Sequence, residues 1–143
     1  MLKIEFPPYQ PKIKRVNDKD FIFDEVRKRW VLLTPEEWVR QNFLQYLIFV
    51  KKYPASLIAV EKQIRLNDLK KRFDIVVFDQ NSQPWMIVEC KAMDVPLDKT
   101  VLDQVLRYNA SLRVQYLVIT NGSYCKAFMA TDSSFKEMDE FPG

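Results

Sequence analysis

The chain has 143 residues, a formal net charge of +3, 29% charged residues and 48% hydrophobic residues. This length and composition fit one globular domain with a real core, and they exclude a disordered chain. The absence of histidine and the presence of only two glycines exclude histidine-based nucleases, histidine–cysteine zinc sites, phosphate-binding loops and dinucleotide-binding fingerprints.

The N-terminal part is predicted to be an extension, residues 1–33, to a core at 34–130, within a single domain over 1–143. Residues 1–20 are rich in Pro and Lys and are expected to be extended, and residues 21–33 to form a small hairpin. No apolar stretch is long enough to span a bilayer, and the N-terminus lacks the apolar core of a signal peptide. Cys90 and Cys125 have neither metal-ligand nor disulfide spacing, so reduced core thiols in a cytoplasmic protein are expected.

A helix start is predicted at Thr34-Pro-Glu-Glu37, with Thr34 as N-cap, Pro35 in the first turn and Glu37 closing a capping box. The helix should run to about Lys52. A strand is predicted over 57–66, followed by a charged turn over 67–72.

The central feature is a predicted hairpin whose apolar strands, around 73–79 and 84–91, carry Asp74, Glu89 and Lys91. A four-residue loop would pair Asp79 with Pro84, and continuing that register places Asp74 opposite Glu89. Because side chains alternate between faces, one face should hold Val76, Phe78, Trp85, Ile87, Glu89 and Lys91. The other face should hold Phe73, Ile75, Val77, Met86, Val88 and Cys90. Both faces are apolar, so the hairpin should be central in its sheet, with helices covering it.

The remaining pattern predicts a helix over 97–110, a strand over 116–120, a turn at Asn121-Gly122 and a return strand over 124–129. Together these elements predict an α/β fold with a mixed central sheet flanked by helices.

The three charged residues of the hairpin need a physical explanation, because burying an unpaired charge costs several kcal/mol. Two carboxylates about 5 Å apart repel by roughly 3 kcal/mol at an effective dielectric near 20. A cation removes that cost, and Mg²⁺ prefers a few carboxylates plus water. An exposed cross-strand ion pair is the alternative, which the apolar flanks disfavour.

This arrangement resembles the active site of the PD-(D/E)xK nuclease superfamily, with Phe73 in place of its Pro. The resemblance implies a restriction-endonuclease-like core in which Asp74 and Glu89 hold Mg²⁺ or Mn²⁺, while Lys91 activates or positions the attacking water.

The order of elements over 34–130 resembles, more closely, the N-terminal nuclease domain of type I restriction enzyme R subunits in a small stand-alone form. The matching residues are Pro35-Glu-Glu-x-Val-Arg-Gln41, Arg72-x-Asp74, Val88-Glu-Cys-Lys91, Gln104-x-x-x-Tyr108 and Thr120-Asn-Gly122. The resemblance implies that a first-helix Glu joins the metal site. Glu36 is preferred over Glu37, because its spacing to Val39 and Phe43 leans it toward the sheet.

The resemblance also implies that Gln104 and Tyr108, which share a helix face, position the substrate backbone. The expected partner is DNA and the expected activity is that of an endonuclease, while RNA as substrate and exonuclease action stay open as alternatives. The resemblance leaves room for a separately encoded motor or specificity subunit. Basic residues precede Asp74 at Lys70, Lys71 and Arg72, where a phosphate backbone would approach; further basic residues lie at 12–15 and 51–52. The alternative function is a non-catalytic DNA-binding or protein-interaction module on the same fold.

Overall fold

The computed structural model describes residues 1–66, 69–110, 114–132 and 134–143. It contains a larger mixed sheet, with a helix packed on each side, and a smaller antiparallel sheet. The helices are α1 (Pro35–Gln45) and α2 (Lys99–Tyr108). The strands are β1 (Leu2–Lys3), β2 (Ile13–Val16), β3 (Lys19–Asp24), β4 (Arg29–Leu32), β5 (Ile58–Leu66), β6 (Leu69–Phe78), β7 (Pro84–Cys90), β8 (Tyr116–Thr120), β9 (Tyr124–Ala130) and β10 (Phe135–Glu137). The predicted α/β class is confirmed.

The larger sheet has the strand order β1-β9-β8-β7-β6-β5, and β10 also pairs with β9. Among the described strands of this sheet, β7 and β8 run parallel and the other paired strands run antiparallel. A parallel pair needs a crossover connection, and the segment that contains α2 provides it. The sequence predicts neither β1 nor β10. The predicted division of the chain into an N-terminal extension and a core stays a prediction.

The core has two layers, one on each side of the larger sheet. The first layer joins residues of α1 to inward residues of the sheet, and its members include Val39, Phe43, Leu44, Ile75, Val77, Met86 and Val88. The second layer joins α2 to the opposite face, and its members include Leu102, Val105, Val76, Ile87, Leu117 and Ile119. The prediction that the hairpin is covered by apolar contacts on both faces is therefore correct.

Helix α1 begins where the sequence predicts. The side-chain oxygen of Thr34 accepts a hydrogen bond from the backbone N–H of Glu37 at 3.0 Å. The regular helix ends at Gln45 and continues as a π-helical turn over Tyr46–Val50, close to the predicted end. The reciprocal half of the capping box is wrong, because the Glu37 carboxylate accepts hydrogen bonds from Arg27 outside the helix and from Arg40 and Gln41 one turn further along it.

The central hairpin follows the predicted register near the site and departs from it near the turn. Ile75 pairs with Val88 and Val76 with Ile87, which confirms the register that brings Asp74 toward Glu89. A β-bulge between Val77 and Phe78 then shifts the pairing, so that Phe78 lies opposite Pro84. The predicted Asp79–Pro84 pair is therefore wrong. The bulge also explains why Trp85 packs against the α1-side layer rather than beside Ile87.

The pairing of β5 with β6 is interrupted at Asp74. Val60 pairs with Ile75 and Lys62 with Phe73, whereas Glu61, which has a φ of 50°, makes no registered pair with Asp74. Phe73 belongs to the α2-side layer, so its predicted face is wrong. A break in the ladder at this point accounts for the change of face.

The predicted charged turn over 67–72 is wrong at its end, because Lys70 to Arg72 already belong to β6. Residues 67 and 68 lie outside the described residues.

The predicted N-terminal hairpin is present as β3 and β4, and β2 adds a third strand to it. Residues 13–16 are therefore paired, where the sequence indicates only extended chain. Cys90 and Cys125 are buried free thiols, as predicted, and burial raises the pKa of Cys125 to about 12. Within the part of the chain that the structure describes, no helix is long and apolar enough to cross a membrane.

Gly122→Ala should destabilise the protein by about 1–3 kcal/mol, measured by thermal or denaturant unfolding. Gly122 has a φ of 92°, and an added Cβ would lie 3.2 Å from a Val39 methyl group. Gly143→Ala is the matched control, because the Cβ there would lie near only the end of the Lys51 side chain, at 3.9 Å. Equal stability of the two variants would contradict the prediction.

Candidate active site

Asp74 lies where the sheet's hydrogen-bond ladder breaks, and its carboxylate takes over part of the pairing. One oxygen, Oδ2, accepts a hydrogen bond from the backbone N–H of Cys90 at 2.7 Å. The other, Oδ1, lies 3.6 Å from Nη1 of Arg40, and the side chain is 30% exposed. Asp74 is thus held by the neighbouring strand on one side and by a guanidinium on the other.

Glu89 lies next to Asp74, as the register predicts, in an environment that disfavours its charge. Burial, then the charge of Asp74 and a hydrogen bond with it, raise the pKa of Glu89 to about 8, although Lys91 and Arg40 partly oppose the shift. Its buried Oε1 atom has no hydrogen-bond partner. A buried acceptor without a partner costs about 1–3 kcal/mol, so this oxygen is available to a cation or to a donor.

Lys91 follows directly after β7, and the backbone around it is anchored by the Thr120-Asn-Gly122 turn. The Lys91 N–H donates to the Thr120 carbonyl at 2.8 Å. The Thr120 hydroxyl oxygen accepts from the Gly122 N–H at 3.0 Å, and the Asn121 amide donates to the Val95 carbonyl at 2.9 Å. This turn therefore fixes both Lys91 and the loop that leads to α2.

A cleft of about 350 Å³ opens between these strands and α2, and it is called the α2 cleft below. Its lining residues are Arg72, Glu89, Lys91, Gln104, Val105, Tyr108 and Asn109. Gln104 and Tyr108 thus lie beside Glu89 and Lys91, the arrangement that the sequence motif anticipates. Both are exposed, and Tyr108 keeps 52% of its surface, so both can reach a bound substrate; their role stays a prediction.

Asn109 is a cleft residue that the sequence reasoning missed. It is fully buried, its amide donates to the Val105 carbonyl at 2.8 Å, and its Oδ1 atom has no partner. An Asn at the end of a helix is usually a capping residue, so the sequence alone does not indicate that Asn109 lines a cleft. Its free oxygen offers the cleft a hydrogen-bond acceptor next to Tyr108.

Two of the three basic residues before Asp74 lie at or beside the α2 cleft. Arg72 lines the α2 cleft. The Lys71 ammonium donates to the Tyr108 carbonyl and lies 4.3 Å from the centre of the Tyr108 ring. Lys70 is exposed. Lys71 therefore contacts a residue that lines the same cleft as Arg72, and the role of these basic residues in DNA binding stays a prediction.

A network of buried charges lies on the α1 side of Asp74. Arg27 contacts Asp24, Glu37 and Glu61, and Arg40 contacts Glu37, Glu61 and Asp74. Burial alone would lower the pKa of Arg40, but Glu37 and then Asp74 offset it and raise that pKa above its ordinary value. Four carboxylates therefore share two guanidiniums, and Glu89 adds a fifth acidic group beyond them.

The expectation that Glu36 leans toward the sheet is wrong. Glu36 is exposed, whereas Glu37 is buried and accepts hydrogen bonds from Arg27 at 3.1 Å and from Arg40 at 3.0 Å. Gln41 also donates to Glu37, at 2.9 Å. The contact with Arg27 from outside the helix and those with Arg40 and Gln41 one turn along it, rather than a capping box, determine the direction of the Glu37 side chain and leave Glu36 on the solvent side.

The donor set available for a divalent cation at this site consists of two carboxylates. Within the described residues, no group of three or more carboxylate, thiol or imidazole side chains is arranged to hold a metal ion. Asp74 and Glu89 supply two carboxylates, and Mg²⁺ is commonly bound by one or two carboxylates plus water and substrate phosphate. The unpartnered Oε1 of Glu89 is the atom that such an ion would satisfy. The residues present fit a metal that is completed by water and substrate.

Comparison with protein families matches residues 35–142 to the family described as type I restriction enzyme R protein N terminus. Comparison with curated proteins gives no significant match. Among solved structures, a DUF820 protein from Anabaena variabilis ATCC 29413, described as a candidate nuclease, aligns at 13% identity and a TM-score of 0.45. That alignment covers 94% of this chain and 80% of the other, and the similarity is too low to carry an argument.

Glu89→Gln should stabilise the metal-free protein at neutral and alkaline pH. Because the folded state raises the pKa of Glu89 to about 8, the wild type loses stability as pH rises from the unfolded value, near 4.5, toward 8. The variant lacks this loss, so its Tm in EDTA should exceed that of the wild type by about 2–6 °C at pH 8 and match it near pH 4.

Glu36→Gln removes the same charge from an exposed position and is the control, for which no pH-dependent difference is expected. A difference for Glu89→Gln that stays constant from pH 4 to pH 8 would show that the carboxylate is not destabilised by its surroundings.

Proposed function

This chain belongs to the type I restriction enzyme R protein N-terminus family, which indicates a nuclease-type function, and we propose that it is a metal-dependent DNA endonuclease. The observation that carries the proposal is the position of Glu89 in the α2 cleft. Its carboxyl group has a buried oxygen without a partner, it feels the charges of both Asp74 and Lys91, and it shares the cleft with Lys91. Perturbed acidic groups in a cleft are candidates for function rather than for stability.

Asp74 and Glu89 are the residues that would hold the metal, Mg²⁺ or Mn²⁺. A bound divalent ion supplies a Lewis acid that generates a nucleophile from water at neutral pH and offsets charge on the phosphoryl oxygens. The protein keeps Asp74 in position through the Cys90 N–H. It also keeps Glu89 in an environment where a cation is the strongest available partner.

Lys91 provides positive charge at the mouth of the same cleft. A phosphoryl group gains negative charge as it approaches the transition state, and a fixed ammonium stabilises that charge without reorganising. The backbone of Lys91 is held by the Thr120 carbonyl, which limits the positions that its side chain can reach. Lys91 is therefore the residue expected to favour the transition state over the bound substrate.

The wall formed by α2 is suited to contact the DNA backbone. Gln104 can donate to phosphate oxygens, and Arg72 can bind a phosphate with two hydrogen bonds. Tyr108 offers an exposed ring and hydroxyl beside them, while Lys71 is engaged with Tyr108 itself. None of these side chains reads a base in a recognisable pattern, so any sequence specificity would come from a further subunit.

Mg²⁺ or Mn²⁺ should raise the Tm of the wild type, because a ligand that binds only the native state stabilises it by mass action. At a hundred times the dissociation constant the gain is about 2.7 kcal/mol. Asp74→Ala and Glu89→Ala should each abolish the shift, measured by scanning fluorimetry. Glu36→Ala is the matched control and should keep it. Equal shifts in all four proteins would place the metal elsewhere.

Lys91→Ala should separate chemistry from binding. The variant should bind DNA in Ca²⁺ nearly as well as the wild type, since one charge among several carries little of the affinity. Its single-turnover cleavage of covalently closed circular DNA should be slower by at least about a hundredfold. Lys136→Ala, at an exposed position in β10, is the control.

Cleavage by Lys91→Ala at the wild-type rate would contradict the catalytic role proposed for Lys91, whereas a wild type that binds this DNA without cutting it would favour the non-catalytic module. That module would bind DNA equally in Mg²⁺ and EDTA and would not cut it. The two functions therefore differ in a single assay on the same circular substrate.

A further inference from the structure

The small sheet formed by β2, β3 and β4 has one face turned inward and one turned toward solvent. Ile22 and Asp24 are fully buried on the inner face. Residues directly opposite in an antiparallel pair share a face, and the register places Lys14 opposite Phe21, Phe23 opposite Trp30, and Val16 opposite Lys19. The outer face is named the aromatic–lysine face, and its defining residues are Lys12, Lys14, Lys19, Phe21, Phe23 and Trp30.

The aromatic rings on this face form a cluster that the core does not use. Phe23 and Trp30 meet edge to face with ring centres 5.4 Å apart. The Lys14 ammonium lies 4.3 Å from the Trp30 ring centre, and the Lys12 ammonium 5.5 Å from that of Phe23. Trp30 is 37% exposed, and among the described residues neither core layer includes Phe21, Phe23 or Trp30. Two of the rings are thus capped by lysine ammonium groups rather than packed into the core.

The charge on this face has one sign. Asp20 and Asp24 of β3 alternate onto the inner face, where Asp24 binds Arg27, and Arg15 pairs with Asp20 at 3.6 Å. The three lysines of the outer face therefore have no carboxylate beside them within the registered strands. Flat aromatic rings can stack on the flat bases of a ligand. Ammonium groups without a neighbouring carboxylate can pair with the negative charges of its backbone.

Single-stranded nucleic acid has that chemistry. Its bases can stack on exposed aromatic rings, and its phosphates can take up the lysine ammonium groups that now lie over the rings. Duplex DNA hides its bases in the stack and would use the lysines only. No hydroxyl or amide side chain lies among the six defining residues, so the face has nothing with which to recognise a 2′-hydroxyl group.

The face continues toward the candidate active site. A second cleft, of about 400 Å³, borders the edge strand β4 and α1 and is called the α1 cleft. Its lining includes Trp30 and Leu32 at the sheet, the guanidinium groups of Arg27, Arg29 and Arg40, and the carboxylates of Glu37 and Glu61. Arg40 reaches to 3.6 Å from Asp74. The α1 cleft thus lies between Trp30 on the aromatic–lysine face and the Arg40 side of Asp74.

We propose that the aromatic–lysine face is a binding surface for single-stranded DNA. The proposal goes beyond the nuclease function, because it requires neither a metal nor cleavage. It predicts that the protein holds an unpaired strand at a surface distinct from the α2 cleft.

The test measures binding of the full chain to a fluorescein-labelled 20-nucleotide dT strand by anisotropy, in EDTA and over a salt series. The wild type should bind this strand at least about fivefold more tightly than a duplex of equal length. Phe23→Leu combined with Trp30→Leu should weaken binding at least about tenfold, because each stacked base contributes a similar factor. Lys12→Gln, Lys14→Gln and Lys19→Gln together should reduce the slope of log affinity against log salt by about 2.

The matched control is Lys3→Gln, Lys62→Gln and Lys136→Gln, which removes equal charge from exposed positions and should leave the slope unchanged within about 0.5. Phe49→Leu, at a ring that is 55% exposed, controls for loss of an aromatic side chain. The lysine variant alters only exposed side chains, so it decides the question if the aromatic variant unfolds.

Binding by the lysine variant that equals its control would overturn the proposal, as would an equal affinity for the duplex or a preference for an rU strand. Failure of this surface is distinguishable from failure of the nuclease. If the surface variants bind the dT strand like the wild type, the binding surface is wrong. If those variants also cleave circular DNA while Lys91→Ala does not, the proposed nuclease function is still supported.

Discussion

The contact between Arg40 and its three carboxylates is the constraint on which the rest of the structure depends. Arg40 is buried, and it touches Glu37 on its own helix, Glu61 on β5 and Asp74 on β6. Arg27 extends the same network to Asp24 on β3. Removing one partner of a buried charge network leaves the others without compensation, which costs about 3–5 kcal/mol. These two guanidiniums thus connect the small sheet, α1 and the larger sheet.

The acidic pair of the site, Asp74 and Glu89, lowers the stability of the folded protein. Asp74 sits at a break in the β5–β6 ladder, and Glu89 is buried beside it with an unpartnered oxygen. A protein selected for stability alone would place an apolar or amide pair there, since close carboxylates in a partly buried position repel. Sites at which local rules are broken are commonly functional. The registered pairing of β6 with β7 ends at Ile75 and Val88, and beyond it the Cys90 N–H donates to Asp74.

Sequence reasoning succeeded where local periodicity determines the outcome. The alternating apolar pattern and the length of the turn were enough to bring Asp74 to Glu89, and the 3.6-residue period brought Gln104 and Tyr108 to one wall of a cleft. It failed where backbone irregularities intervene, as at the bulge that moves Trp85 and the ladder break that moves Phe73. It also failed for Glu37, because a local capping motif cannot reveal an arginine that approaches from the small sheet.

That last failure changes the expected chemistry of the site. A first-helix glutamate held by Arg27 and Arg40 is already neutralised, so α1 presents a guanidinium to Asp74 rather than a third free carboxylate. Positive charge then flanks the acidic pair on both sides, with Arg40 at Asp74 and Lys91 near Glu89. Asp74 and Glu89 would hold a metal between these two positive charges, and the unpartnered oxygen of Glu89 is the donor that neither of them satisfies. Since Glu89 lines the α2 cleft, this donor lies on the side where Gln104, Arg72 and Tyr108 would meet a phosphate backbone.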